Sequence, residues 1–562
     1  MQRSRTQALP ALLLGLGLSA PTAFAAAANE QPIADDAFSL SSESFDARRS
    51  LALPATTACL DNLLTRGKAG GSLSGIAVAI MLDGRLVYHR GFGTVSPASA
   101  QPVLPTTRFR IGSITKSLTA TALLSLADEG RIHLHAPVTR VLPGFALDGE
   151  PGWSDRLTAH LLLSHQGGIG EPDVVGPDIT DGPRDDGALA AAFYDPAFLQ
   201  FVPLMVAPGT FYNYSNTNFM LAGLLAERAA GQPYREVVRR RVFRPLGMTR
   251  STFLLSDVAK DNDVASGVFH QNVLPPDAYD TAIQRPAGYA WASVDDLARF
   301  MKFLVDGNHA VLSPRMWRKL QTRHVDTRQL LDLEGYGYGL LVERDAGFFD
   351  NQHVLKLYPG VKVVWHDGAI DGYQAAMITV PGQRFGYAAV LNGDLRDLAP
   401  DPAECYQTAA LETFVSRLPA PLPWPGPDVQ RDRFGDYLGE YADRINITGP
   451  GTVTLGPNGN LNIHLPALDE AGIWYDHVLH PENRDNFTFF VLDLSLQLTG
   501  IREGSDGPVK YLRLRPTVLT RVAPEEAAVS RAAAPRRAVD ARAIERALRA
   551  IAKEQAAGNI VN

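Results

Sequence analysis

The placement of strand-like segments constrains the fold most. Ile76-Ala-Val-Ala-Ile-Met-Leu82, the pair Asp83-Gly84 and Arg85-Leu-Val-Tyr88 read as a hairpin, because Asp-Gly supplies the positive φ angles of a tight primed turn. The next comparable text comes far downstream: Val361 to His366, Tyr373 to Val380 and Phe385 to Leu391, separated by Asp371-Gly372 and Pro381-Gly382. These make a short antiparallel meander. Residues 110–310 read as mostly helical, punctuated at Gly130, Pro143, Pro208-Gly209, Gly231 and Pro245. Within them Leu221 to Ala230 and Asp295 to Leu304 are clear helices, the second preceded by the N-cap candidate Ser293. Strands at both ends with helices between predict one sheet assembled from both halves of the segment. An all-helical insertion lies beside it, and the cleft between the two lobes is a natural ligand site.

The helical text before the hairpin, around Cys59, Leu60, Leu63 and Leu64, starts the folded part at about Phe45. A helix near Glu404 to Arg417 ends it. Leu418-Pro-Ala-Pro-Leu-Pro-Trp-Pro-Gly-Pro427 is dense enough in proline for a stiff extended linker, taken as 418–430. From 431 to 522 short apolar runs alternate with Gly, Asn and Asp turns, the rhythm of a small barrel or sandwich and hence of a second, all-β domain. Residues 523–562 read as a mobile, solvated tail ending in a short amphipathic helix with Ile544, Leu548 and Ile551 at helical spacing.

Met1 to Arg5 is charged, Ala8 to Leu18 is apolar and Ala23-Phe-Ala25 is a small-x-small site, together the pattern of a secretory signal peptide over 1–25. The apolar run is shorter than the roughly 20 residues a spanning helix needs. Residues 26–44, rich in Ala, Ser and Asp, read as a flexible leader. The expected location is therefore the periplasm or the exterior, with no integral membrane segment after cleavage. A net charge of -7 offers no broad basic surface for nucleic acid. His133, His135, His160 and His165 have no carboxylate or cysteine cluster at metal-ligand spacing beside them, so they read as structural, and no metal or cofactor is expected. The oligomeric state is open, and the Asn446 and Asn486 sequons carry little weight if, as the signal suggests, the host is bacterial.

Chemistry concentrates at Phe109-Arg-Ile-Gly-Ser113-Ile-Thr-Lys116. Ser113 falls at the start of a helix that runs to the stop at Gly130, and Lys116 lies one turn on, so their side chains can meet. A serine hydroxyl needs a neighbour to take its proton, and helix-start N–H groups favour negative charge close by. Ser-x-x-Lys alone also fits a capped surface helix. Two further motifs follow in order: Tyr214-Ser-Asn216, just before a helix, and His366-Asp-Gly368, at the end of a strand.

Together the three resemble the signature motifs of the serine β-lactamase and penicillin-binding protein superfamily. The form is the Tyr-x-Asn version of class C β-lactamases and related DD-peptidases, D-aminopeptidases and esterases. The resemblance spans about residues 45–415, within a catalytic domain taken as 45–417. Leu161-Leu-Leu-Ser-His-Gln-Gly-Gly-Ile169, Pro245-Leu-Gly-Met-Thr249 and Tyr336-Gly-Tyr-Gly-Leu340 support it. It implies an α/β catalytic domain, an antiparallel sheet flanked by helices with an all-helical lobe, followed by a lipocalin-like module whose opening strand Glu440-Tyr441 resembles.

It also implies roles. Ser113 attacks a carbonyl, while Lys116 and Tyr214 move protons between Ser113 and the leaving group. Asn216 holds the lysine and the substrate amide. The N–H groups of Ser113 and Ala369 meet the oxyanion. Gly368 lets substrate approach the strand. Related folds pack their first and last helices together, which implies a Cys59–Cys405 disulfide, with two buried thiols as the alternative.

The third motif departs from the Lys-Thr-Gly of class C enzymes. His366 can donate to a substrate carboxylate, but an unperturbed imidazole is charged only near and below a pKa of about 6.5. The expectation is an exported serine hydrolase acting on small-molecule or peptide substrates, cleaving amide or ester bonds of peptide-like or small acyl compounds. A true β-lactamase, and a silent binding or scaffold protein working through its β domain, are the alternatives.

Overall fold

The computed structural model describes residues 51–549 except 172–181, 270, 329–332, 350–353, 394–401, 444–449, 505, 515–516, 526–543 and 546–547. The residues read as a signal peptide and leader, the Asn446 sequon, Ile551 and most of the tail lie outside the described residues.

The main sheet is built from both ends of its segment. In chain order its strands are β1 Leu73–Leu82, β2 Arg85–Gly93, β3 Val325–Asp326, β4 Glu334–Tyr336, β5 Leu341–Glu343, β6 Val363–Ile370, β7 Tyr373–Val380 and β8 Phe385–Gly393. They lie in the order β2-β1-β8-β7-β6-β5-β4-β3, all antiparallel. The seam between the two halves is β1 against β8, with Ala77 opposite Val390 and Ala79 opposite Ala388. Every residue of β1 is buried, as its unbroken apolar run requires of a strand covered on both faces. Asp83 and Gly84 have φ of 51° and 71°, the predicted primed turn.

Helices α1 Pro54–Ala69, α2 Thr115–Asp128, α3 Asn216–Ala230, α4 Val294–Asp306 and α5 Tyr406–Thr413 complete the frame. The Ser293 hydroxyl caps α4 by accepting from Asp296 N at 3.2 Å. Leu297, Phe300, Met301 and Leu304 of α4 are fully buried in the main core, each contributing about 1.5–3 kcal/mol on removal from water. Helix α2 is different: both its apolar and its small polar residues are buried, so it runs through the interior rather than over it. That is how Lys116 comes to have no exposed surface. Cys59 on α1 and Cys405, the residue before α5, form a disulfide with Cα atoms 5.9 Å apart.

The linker does not run free. Leu422–Pro423 pairs with Leu355–Tyr358, which pairs in turn with Ala346–Phe349. Beyond it, β9 Gly439–Asp443, β10 Gly451–Leu455, β11 Leu461–His464, β12 Val478–Asn483, β13 Asn486–Val491, β14 Leu494–Arg502, β15 Val509–Arg513 and β16 Val518–Val522 close into an eight-stranded barrel. Phe487, Phe489, Leu498 and Leu512 fill its core. The solvated helix expected in the tail is a correction: Ile544 and Leu548 are buried in that same core, because their apolar face has the barrel to pack on. Asn486 is also buried, hydrogen-bonded to Asn483 and Thr499, so its side chain is not offered to a glycan. No helix among the described residues is long and apolar enough to cross a membrane.

Candidate active site

Ser113 sits in a 3-10 turn, Gly112–Ile114, that leads into α2. Gly112 takes φ +50°, which an L side chain rarely adopts. Lys116, one turn on, donates from Nζ to Ser113 Oγ at 2.8 Å, to Asn216 Oδ1 at 2.7 Å and to the carbonyl of Ala287 at 2.8 Å. An ammonium has three protons for these three acceptors. A neutral amine has two protons and one lone pair. The Asn216 and Ala287 oxygens can only accept, whereas the Ser113 hydroxyl can also donate, so of these three it is the one toward which the lone pair can turn. The three bonds hold the amine against the Ser113 hydroxyl.

The Tyr-x-Asn segment enters from the helical lobe. Tyr214 is buried, and Lys116 Nζ lies 4.8 Å from its ring centroid, while Asn216 opens α3. His165 packs on the Tyr214 ring at 4.2 Å and its Nδ1 accepts from Ser215 N at 3.2 Å. Glu171, itself buried, accepts from Asn216 N at 2.6 Å. A carboxylate at the first N–H of a helix is favourably placed. Here it also fixes the residue that orients the lysine.

Strand β6 closes the other side. A methyl group on Gly368 would lie 2.0 Å from the carbonyl oxygen of Ile111 and 3.0 Å from Ser113 N; one on Gly112 would lie 2.5 Å from Ala369 N. The backbone of β6 at Gly368 and Ala369 is thus packed directly against the serine loop, which brings the backbone nitrogens of Ser113 and Ala369 near one another. Gly368 is required by the protein's own serine loop, where the sequence pointed to substrate approach. The motif also lies within its strand, which runs on to Ile370, and does not end it.

His366 departs furthest from expectation. The imidazole is 1% exposed; Nδ1 pairs with the Asp367 carbonyl at 2.7 Å and Nε2 with the Tyr336 hydroxyl at 3.0 Å. A carbonyl only accepts, so in the neutral ring Nδ1 donates to it and Nε2 accepts from Tyr336. Both nitrogens are occupied within the protein. This corrects its reading as a donor to a substrate carboxylate: it ties β6 to β4. Below this wall, His135, His160 and His324 gather, with His160 Nδ1 2.8 Å from the Tyr338 hydroxyl. Burial, reinforced by the neighbouring imidazoles and Lys319, pushes His160 down to about 4; burial likewise lowers His324 to about 4. No metal-binding cluster occurs among the described residues.

Ser113, Lys116, Tyr214, Asn216, Gly368 and Ala369 are thus brought together, His366 stands behind them, and the cysteine pair joins α1 to α5. Glu171 and Tyr336 were not placed at the site from sequence, and His165 was read only as a structural histidine. Glu171 follows the small-residue run Gly167-Gly-Ile-Gly170, the one local signal that could have marked it.

The beta-lactamase family model matches residues 60–407. The chain belongs to that family. Among curated proteins it is similar to the Unguisins hydrolase ungD' of Aspergillus campestris (strain IBT 28561), 26% identical over 417 residues, 66% of this chain and 72% of that protein. It is also similar to Protein flp of Staphylococcus aureus (strain COL), 24% identical over 59% of this chain and 62% of that protein's length. Among solved structures, SurE with D-Leu aligns with a TM-score of 0.59 at 21% identity, covering 84% of this chain and 99% of that one. The octameric penicillin-binding protein homologue from Pyrococcus abyssi gives 0.53 at 23%, covering 84% and 100%. A D-stereospecific amidohydrolase from Streptomyces sp. gives 0.50 at 24%, covering 65% and 99%. These structural likenesses speak to the fold, a transpeptidase-like sheet flanked by helices.

Proposed function

We propose that this family member is an exported serine hydrolase that forms an acyl-enzyme on Ser113. It cleaves amide or ester bonds of peptide-like or small acyl substrates, in the manner of D-aminopeptidases, DD-peptidases or esterases. The observation that carries the reading is the hydrogen bond between Lys116 Nζ and Ser113 Oγ, with the same amine held by Asn216 Oδ1 and the Ala287 carbonyl.

Ser113 Oγ adds to the substrate carbonyl as its proton passes to Lys116 or Tyr214. Charge developing on the carbonyl oxygen meets the N–H groups of Ser113 and Ala369. The same proton carriers deliver a proton to the departing amine or alcohol. Water then cleaves the ester on Ser113. Where class C enzymes place a lysine in the third motif, this chain has a buried imidazole tied to Tyr336 and Asp367, which weighs against efficient β-lactam hydrolysis. The names of the Aspergillus protein, a hydrolase, and of the Streptomyces protein, an amidohydrolase, support a hydrolytic reading.

The experiment is a substrate panel on wild type and Ser113→Ala: D-amino acid amides, D-Ala-D-Ala peptides, short-chain p-nitrophenyl esters and nitrocefin. Turnover of an ester, amide or peptide that exceeds nitrocefin and disappears in Ser113→Ala is expected. Nitrocefin as the best substrate would replace the proposal with a true β-lactamase. No turnover of any compound would favour a silent scaffold.

A further inference from the structure

The barrel touches the catalytic domain close to the reacting groups. Met205, Val206 and Phe211 form a small apolar cluster with Ile501 and Val518 of the barrel, and Phe211 lies 5.3 Å from Tyr511. Beside this cluster Arg513, the last residue of β15, is only 6% exposed. Its Nη1 donates to the Tyr212 carbonyl at 2.6 Å, and its Nη2 to the Thr327 carbonyl at 2.8 Å and to Thr499 Oγ1 at 3.1 Å.

Those two carbonyls belong to opposite walls of the site. Tyr212 is two residues before Tyr214, and its ring packs on Tyr336 at 5.5 Å and His165 at 5.9 Å. Thr327 follows β3 and is held to β4 through Thr327 N and Glu334 O at 3.2 Å. Strand β4 carries Tyr336, the partner of His366. One guanidinium thus bridges the segment that delivers Tyr214 and the strand pair that supports β6. Its planar fork suits two carbonyls at once, which a lysine ammonium, a single point of charge, does not reproduce.

We propose that Arg513 is a positioning residue for the catalytic centre, through which the barrel sets the placement of Tyr214 against Lys116. The inference rests on the reading of Ser113, Lys116 and Tyr214 as the reacting trio. Arg513 touches no reacting atom; it acts through the Tyr212 backbone. Small displacements of a reacting group cost rate, so Arg513→Lys lowers kcat about 10- to 100-fold with a smaller change in KM.

The test uses full-length protein: wild type, Arg513→Lys, Arg513→Ala and the docking control Ile501→Ala. Three readouts are taken: kcat and KM on a p-nitrophenyl ester across pH, partial rescue of Arg513→Ala by millimolar guanidinium, and amide hydrogen exchange over residues 212–216. The expected result is a kcat loss with an altered pH profile in both Arg513 variants, rescue in Arg513→Ala and faster exchange at 212–216. Ile501→Ala stays within threefold of wild type. Rates and exchange within twofold of wild type in both Arg513 variants, or equal losses in Ile501→Ala, overturn the inference. If wild type shows no Ser113-dependent turnover, the functional proposal fails separately, and the exchange measurement alone decides whether Arg513 holds the Tyr212 segment.

Discussion

Gly368→Ala perturbs the site with a single methyl group whose surroundings are known. That methyl would sit 2.0 Å from the Ile111 carbonyl oxygen, 2.8 Å from its carbon and 3.0 Å from Ser113 N, all backbone atoms. No side-chain rotamer relieves the clash. Ordinary contact would need a displacement of about 1 Å or more between β6 and the serine loop, an overpacking that costs roughly 1–3 kcal/mol of stability. Function is affected as well, because the displaced atoms are the backbone of the serine loop and of β6 beside it, and a misplacement near 1 Å costs about 100-fold in rate. The assay is the second-order rate of Ser113 modification by a fluorophosphonate, measured beside thermal unfolding. Gly382→Ala serves as control, since nothing lies within 4 Å of its added methyl. The expected outcome is a loss of about 100-fold in Gly368→Ala with a modest fall in Tm, and no change in Gly382→Ala. A Gly368→Ala protein labelled at the wild-type rate would refute the argument that this close approach builds the site.

Two further outcomes are expected away from the reacting atoms. Replacing both Cys59 and Cys405 by Ser opens a loop with a sequence separation of 346, and calorimetry should show a loss of about 2–5 kcal/mol with the active site still able to react. His160 and His324 bind protons in the unfolded chain near 6.5 but in the folded protein only near 4, so between those values the unfolded state holds more protons. Their contribution is full above about 6.5 and is lost as pH falls toward 4. The stability gap between wild type and His160→Asn/His324→Asn, followed by urea melts, should therefore shrink or reverse over that window; a gap independent of pH would contradict it.

Much of this was legible from local chemistry. The Asp83-Gly84 turn, the Ser293 cap and the spacing of Ser113 and Lys116 depend on residues within one turn of each other, and the structure has them as read. That one sheet would draw strands from both halves was legible too, because strand text stands at both ends of a mostly helical stretch. The remainder depends on what distant segments bring. The glycines before Glu171 do not say that it will meet Asn216 N, and Arg513 in the strand text Val509-Lys-Tyr-Leu-Arg513 gives no sign of the two carbonyls it bridges. His366 was misjudged for the same reason: its neighbours in sequence suggested a ligand, whereas Tyr336 on β4 occupies its Nε2. The tail helix was read as solvated because the apolar surface that receives Leu548 belongs to the barrel.

The most direct test of the central claim is the site of covalent modification. Wild type and Ser113→Ala are incubated with a fluorophosphonate and, separately, with a labelled penicillin, and the modified peptide is identified by mass spectrometry. The account predicts one adduct per chain, on the peptide containing Ser113, and none in Ser113→Ala. An adduct on another residue, or equal labelling of both proteins, would contradict it.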